Sequence, residues 1–334
     1  MRTVCTAPHR RATVRTIASA NVNPVNPLWP SQYPRPEQLI VHLSDTHFTA
    51  GRAPMFGQVD SDEVLAQGLR QLVGAGLSPS AIVITGDVAD TGAGDAYTRV
   101  RAAIEPVVAE LGAELVWVMG NHDIRGRFRA GLLDEDATDE PYDRVIDLDG
   151  LRLIVLDSTV PGFHYGALSD EQLAWLASVL STPAPRGTLL ALHHPPIPSP
   201  QVFDELIELR DQAGLEKVVA GTDVRGILAG HLHYSTHSTF AGVPVSVASA
   251  TCYTNDPLLS QNGLRAQAGG QAFDIVHVYA DRMLHTTIPV GDWPTVYEVT
   301  AAQAARIAAL PDEQQQALAR RYVTVGGLSG VPEL

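Results

Sequence analysis

Five short apolar runs punctuate the chain, and each ends in polar residues of a similar kind. Residues 39–44 (LIVHLS), 81–87 (AIVITGD), 115–121 (LVWVMGN), 189–194 (LLALHH) and 227–233 (ILAGHLH) are β-branched or Leu-rich. Runs this short and this apolar predict buried strands that deliver polar residues at their C-terminal ends. Between the first two, Val64, Leu65, Leu69 and Leu72 recur at helical spacing over 61–73, with Gly74 and Gly76 behind them as stop signals. Residues 96–111 predict a second amphipathic helix, so the first half alternates strand and helix as a layered α/β fold requires.

In the middle, Asp149-Gly150 sits between the apolar runs 145–148 and 151–156 and predicts a hairpin, which brings antiparallel strands into the sheets. Ser169 and Gln172 form a capping box ahead of Leu173, Trp175, Leu176 and Leu180. Past His233 the pattern predicts strands only, over 238–240, 243–248 and 273–279, expected to make the second sheet of a sandwich. Residues 301–322 are Ala- and Gln-rich around Pro311 and predict one or two surface helices.

The 334 residues, 45% of them hydrophobic, suit one large domain with tails. The expected layout is a basic, disordered leader over 1–37, a catalytic domain over 38–290 and a helical tail over 291–334. With 37 acids against 23 bases the net charge is −14, which argues against a nucleic-acid groove while leaving room for a small anion bound through cations. The leader runs the other way: it carries Arg2, Arg10, Arg11, Arg15 and Arg35, which keeps peripheral contact with an anionic membrane surface open. No apolar run approaches the ~18 residues of a membrane span. Cys5 and Cys252 are poorly placed for a disulfide framework, so a cytoplasmic location is expected.

The strand ends carry Asp45-Thr-His47, Gly86-Asp87-Val-Ala-Asp90, Gly120-Asn121-His122-Asp123, His193-His194-Pro195-Pro196 and Gly230-His231-Leu-His233. Together these spell a site for two cations. Asp45 and His47, two residues apart, share a side at strand period. Asp87 can bridge two ions ~3.5–4 Å apart. Asn121 offers a neutral amide oxygen, and His193, His231 and His233 complete the ligands. Mixed imidazole and carboxylate donors suit Fe, Mn, Zn or Co better than Mg or Ca. Such a pair generates a bridging hydroxide that attacks phosphorus in line. His122 is then free to meet the leaving oxygen, with Asp90 as its orienting partner. Asn121, His122 and His164 are the candidate substrate contacts. His194 points the other way along its strand and is left out of the ligands, and Asp123 is expected to stabilise its loop.

With these motifs in view, residues 38–290 resemble the calcineurin-like metallophosphoesterase superfamily. More narrowly, ELVWVMGNHD, LALHHPPIPS, AGHLHYST and VPVSVASATCYT resemble the class III cyclic-nucleotide phosphodiesterases, above all their mycobacterial cAMP-hydrolysing branch. The resemblance implies a four-layer αββα sandwich of two mixed sheets and a homodimer. It implies one metal, often iron, held by Asp45, His47, Asp87 and His233, and a second, often manganese, held by Asp87, Asn121, His193 and His231. Asp90 stands where purple acid phosphatases place a ligand tyrosine, so that branch is disfavoured. The implied activity is a phosphoric diester hydrolase (EC 3.1.4.-) acting on 3′,5′-cyclic AMP and other cyclic nucleotides. Two alternatives stay open: a broad-specificity phosphodiesterase for 2′,3′-cyclic nucleotides or glycerophosphodiesters, and an envelope-associated partner with a non-catalytic role.

Overall fold

The computed structural model describes residues 32–259 and 263–321. Residues 1–31 of the expected leader, with Cys5, Arg2, Arg10, Arg11 and Arg15, and residues 322–334 of the expected tail lie outside the described residues.

The first half forms as its periodicity requires. Strand β1 (Gln38–Leu43) leads to helix α1 (Ser61–Gly74), whose N-cap Asp60 accepts a hydrogen bond from the Glu63 backbone N–H. Strand β2 (Ala81–Thr85), helix α2 (Gly94–Leu111) and strand β3 (Glu114–Val118) follow, then the short helix α3 (Arg125–Phe128). Strands β4 (Arg144–Leu148) and β5 (Leu151–Leu156) are the expected hairpin. Asp149 and Gly150 have φ of 51° and 88°, the two positive values that a twist-matched two-residue turn demands. Helix α4 (Asp170–Leu180) carries the full capping box, then come β6 (Thr188–Leu192), α5 (Gln212–Val219) and β7 (Val224–Ala229). Strands β8 (Thr236–Phe240), β9 (Val243–Val247), β10 (Thr254–Asn255), β11 (Ala266–Gln267), β12 (Ala272–Val278) and β13 (Met283–Pro289) close the unit covering 36–291.

The sheets run β13-β12-β1-β2-β3 and β4-β5-β6-β7-β9-β8, with β10 and β11 as a separate pair. Each has a parallel centre: β1, β2 and β3 in the first, β5, β6, β7 and β9 in the second. Alternation along β5 shows the layering. Leu153 and Val155 join the core that holds β1–β3, α1 and α2, whereas Ile154 and Leu156 pack with Leu176 and Leu180 of α4. The architecture is therefore two mixed sheets face to face with helices outside, as expected.

One expectation is corrected. The strands past His233 do not make a sheet of their own: β8 and β9 extend the second sheet, while β12 pairs antiparallel with β1 in the first, Gln38 opposite Val278. Apolar alternation predicts a strand without naming its partner, and the partner here is the edge of β1 left free by β2. Strand β13, an edge strand with a half-exposed pattern, lacked the apolar signal that marked the others. Separately from this unit, α6 (Ala301–Ala308), capped by Thr300, and α7 (Asp312–Arg321) follow in the second unit.

Candidate metal centre

Because β1, β2 and β3 are parallel, and so are β6 and β7, five C-terminal strand ends open on a common edge. The ligand candidates occupy the residues just beyond those ends. The loops are drawn into contact: Asp45 N–H donates to the Gly86 carbonyl at 3.1 Å, and Gly230 N–H to the His193 carbonyl at 3.0 Å. The motif glycines are demanded by this crowding. A Cβ on Gly120 would lie 2.1 Å from the Asp87 nitrogen, and one on Gly230 would lie 1.8 Å from Ser44 Oγ.

Strand period is not what aims the ligands. Asp45, His47, Asp87, His231 and His233 all have left-handed backbone, with φ of 51°, 42°, 49°, 75° and 59°. The expectation that Asp45 and His47 face one way as alternate strand residues is replaced by two kinks just past β1. Backbone strain concentrated this way is characteristic of functional sites, and Asp and His tolerate it better than most residues.

Seven predicted ligands are brought together. Asp87 Oδ2 lies 3.3 Å from His47 Nε2 and 3.3 Å from His193 Nε2. On one side of it, Asp45 Oδ1 lies 3.3 Å from His233 Nε2, and Asp45, His47, Asp87 and His233 each offer an atom within 4.8 Å of the others. On the other side, His193 Nε2 faces Asn121 Oδ1 at 3.1 Å and His231 Nδ1 at 3.2 Å. A single Asp87 oxygen serves both groups, because Oδ1 accepts the His122 backbone N–H at 2.8 Å.

Each histidine gives its other ring nitrogen to an outer acceptor. His193 Nδ1 donates to the Thr85 carbonyl (2.6 Å), His231 Nε2 to the Ile207 carbonyl (2.9 Å), His233 Nδ1 to the Tyr253 carbonyl (3.0 Å) and His47 Nδ1 to Asp90 Oδ1 (3.1 Å). These fix ring orientation and tautomer, as outer partners of metal-binding histidines do. Sequence reasoning missed the three carbonyls, since a backbone acceptor leaves no trace in residue type.

It also gave Asp90 a different partner. The Asp90 carboxylate holds His47, and its Oδ1 is 3.7 Å from His122 Nδ1, beyond hydrogen-bond reach. The Asp90 carbonyl does the orienting, accepting His122 Nδ1–H at 2.6 Å. His164 faces the site through its Nδ1, which accepts from the Asn121 amide at 3.0 Å and turns Asn121 Oδ1 toward His193. His194 has both ring nitrogens engaged, with Ser158 Oγ and the His164 carbonyl, so a cation beside His193 and His231 could take it only by displacing one of those two partners. Asp123 gathers the backbone N–H groups of Val88, Ala89 and Gly120 and the Tyr97 hydroxyl, clasping the loops after β2 and β3.

The donor set fits cations. His193 and His231 direct lone pairs at each other beside an amide oxygen, and buried Asp45 Oδ1 and His47 Nε2 have no hydrogen-bond partner among the described residues. Only positive charge resolves such a cluster. Without metal, protons stand in for it. Burial would depress His47, but Asp87 and Asp90 hold it up to about 10; burial would depress His193, but Asp87 holds it up to about 9. Burial and the neighbouring His193 push His231 down to about 3. Against burial, His193 and His122 keep Asp87 well below the usual carboxylate range.

Two facing sheets with parallel centres, and a carboxylate shared by two nitrogen-rich clusters at their edge, define the two-cation class of phosphoester hydrolase. Residues 39–235 match the calcineurin-like phosphoesterase family, and the chain belongs to it. It is 54% identical over 276 residues to a cAMP/cGMP dual specificity phosphodiesterase from Mycobacterium tuberculosis, covering 83% of this chain and 87% of that protein. It is 53% identical over 277 residues to a "probable cyclic nucleotide phosphodiesterase" from Rhodococcus erythropolis, covering 83% and 92%. A dimetal phosphatase from Danio rerio superposes with a TM-score of 0.56 at 16% identity, covering 77% of this chain and 98% of that one, a likeness of fold alone.

Proposed function

We propose that this chain is a dinuclear-metal phosphoric diester hydrolase that opens 3′,5′-cyclic AMP, and other 3′,5′-cyclic nucleotides, to the nucleoside monophosphate. The observation that carries the chemistry is the Asp87 oxygen shared at 3.3 Å between His47 and His193. The 54% identity to a cAMP/cGMP phosphodiesterase over most of both chains supports the substrate class.

In this reading Asp45, His47, Asp87 and His233 hold one ion and Asp87, Asn121, His193 and His231 the other, with iron and manganese the expected pair and zinc or cobalt accepted. When bound, the ions polarise the phosphoryl oxygens and make water nucleophilic near neutral pH. The residues do the rest. His122, pinned at Nδ1 by the Asp90 carbonyl, is a third exposed and presents Nε2 to deliver a proton to O3′ as the P–O3′ bond breaks. His164 keeps the Asn121 amide turned and lies beside the diester. Asp90 keeps His47 in place.

The catalytic domain is taken as 38–290 with 291–334 as an appended tail, the enzyme as a cytoplasmic homodimer. No helix among the described residues is long and apolar enough to cross a membrane. The test is turnover of 3′,5′-cAMP beside 2′,3′-cAMP and bis(p-nitrophenyl) phosphate, using metal-stripped protein reloaded with Mn²⁺. Preference for 3′,5′-cAMP is expected. Strong preference for either of the others would retain the hydrolysis and overturn the substrate.

A further inference from the structure

Phe56 is 70% exposed, and its ring stands edge-on to Tyr253 with centroids 5.2 Å apart. The Tyr253 ring lies 4.4 Å from the His233 ring and 6.1 Å from that of His47. One aromatic ring thus separates Phe56 from two predicted metal ligands. The loop that carries it is clipped at its base. Met55 and Val59 are buried with Ala250 and Cys252, Met55 N–H donates to the Val59 carbonyl at 2.8 Å, and Gly57 N–H to the Pro54 carbonyl at 3.0 Å.

Inside that clip Phe56 has φ of 50°, a left-handed conformation that a bulky side chain adopts at a cost and glycine adopts freely. The fold gains little from the ring in return, an edge contact with Tyr253 apart, since most of it faces water. A strained, solvent-facing aromatic beside a reaction centre points to a ligand with a flat apolar face. We infer that Phe56, backed by Tyr253, is the stacking surface for the nucleobase of the substrate while its phosphodiester lies over the cations. This rests on the cyclic-nucleotide reading above. Stacking of this kind holds any base, which suits a site that sets chemistry at the phosphate and only tightens binding at the base.

Phe56→Gly removes the ring and the strain together. Metal content should hold and Tm should stay level or rise, while KM for 3′,5′-cAMP rises about 5- to 30-fold with kcat within about twofold. Cyclic 1-deoxyribose 3′,5′-phosphate, which lacks a base, should be hydrolysed as before. Binding of 2-aminopurine riboside 5′-monophosphate, followed by its fluorescence, should weaken by the same factor as KM, and Phe56→Trp should restore it. An unchanged KM, an equal loss on the base-free diester, or a fall in Tm would overturn the stacking role. Parent enzyme that cleaves bis(p-nitrophenyl) phosphate but no cyclic nucleotide would overturn the substrate reading and the stacking role with it. Parent enzyme active on cAMP beside an indifferent Phe56→Gly would overturn the stacking role alone.

Discussion

Strand β1 borders two buried polar clusters, and they behave in opposite ways. Past its end lie Asp45 and His47; three residues before Asp45 lies His42, fully buried, with Nε2 on Thr85 Oγ1 at 2.9 Å. Asp274 sits opposite His42 in the β1–β12 register and accepts from Thr287, its partner on β13, at 2.7 Å, while His285 of β13 acts on His42. Among the described residues His42 Nδ1, Asp274 Oδ2 and His285 Nδ1 are buried without a hydrogen-bond partner, as Asp45 Oδ1 and His47 Nε2 are. Yet this cluster sheds charge. Burial and His285 push His42 down to about 3, burial and His237 push His285 to about 4, and burial raises Asp274. The site beyond β1 gathers charge, with His47 held at about 10 and His193 at about 9. Burial is common to both; what differs is convergence to 3.3 Å and an outer acceptor behind every ring. Unpartnered buried atoms alone do not make a metal site.

The largest break of that contrast comes from Asp87→Ala. Removing the shared oxygen should strip both ions and lower turnover by at least about 10³-fold, read by metal analysis and steady-state kinetics. A variant that keeps two ions would refute the bridge. His122→Ala should keep both ions, yet lower kcat on 3′,5′-cAMP by about 10²- to 10³-fold and much less on a nitrophenolate ester, whose leaving group needs no proton. Equal losses on both substrates would remove His122 from proton delivery. Gly120→Ala replaces no ligand, but its methyl would collide with both the backbone nitrogen and the carboxylate of Asp87. Metal affinity should fall about 10- to 100-fold, like the loss of an outer partner; unaltered affinity would mean that the loops yield.

How far the sequence announced this difference depends on what holds each residue. All seven candidate ligand positions that the structure brings together were legible, because strand-end motifs of Asp, Asn and His have no structural reason to recur five times. The sheet that receives β12 was not, since pairing is decided by which edge remains free. The Asp90–His47 bond was missed because Asp90 is adjacent in sequence to the β2 motif and nothing local marks His47 as its neighbour. Phe56 was invisible for a related reason: its exposure, its φ and its position beside Tyr253 are all tertiary.

The charge gathered at the site has a measurable consequence. At pH 7 His47 and His193 hold protons in the metal-free chain, and a cation takes their Nε2 atoms only after those protons leave. Loading should release about two protons, measurable by calorimetry in buffers of different ionisation enthalpy, and apparent affinity should climb with pH toward 9–10. Because these folded-state values lie above the ordinary 6.5, the stability they lend the metal-free fold is complete below pH 6.5 and lost as pH rises through them. Metal-free Tm should therefore fall between pH 7 and 10. Proton-free uptake would mean that the cluster is neutral before loading.

The smallest effect probes the other cluster. Burial holds the Asp274 carboxyl above its ordinary 3.8, so whatever stability it lends is present below that pH and lost as pH rises through the folded-state value. In its ionised form the group is a net cost to the fold, because burial outweighs the Thr287 hydrogen bond and the charge of His237. Asp274→Asn keeps an acceptor for Thr287 and removes the charge. The variant should melt above the parent at pH 7, with the gap closing below about pH 3.8, and its metal content and KM should not change. If Asp274→Asn loses metal or activity, the two clusters are linked, through His42 and Thr85, whose carbonyl holds His193. The contrast between a charged site and a discharged one would then describe a single network.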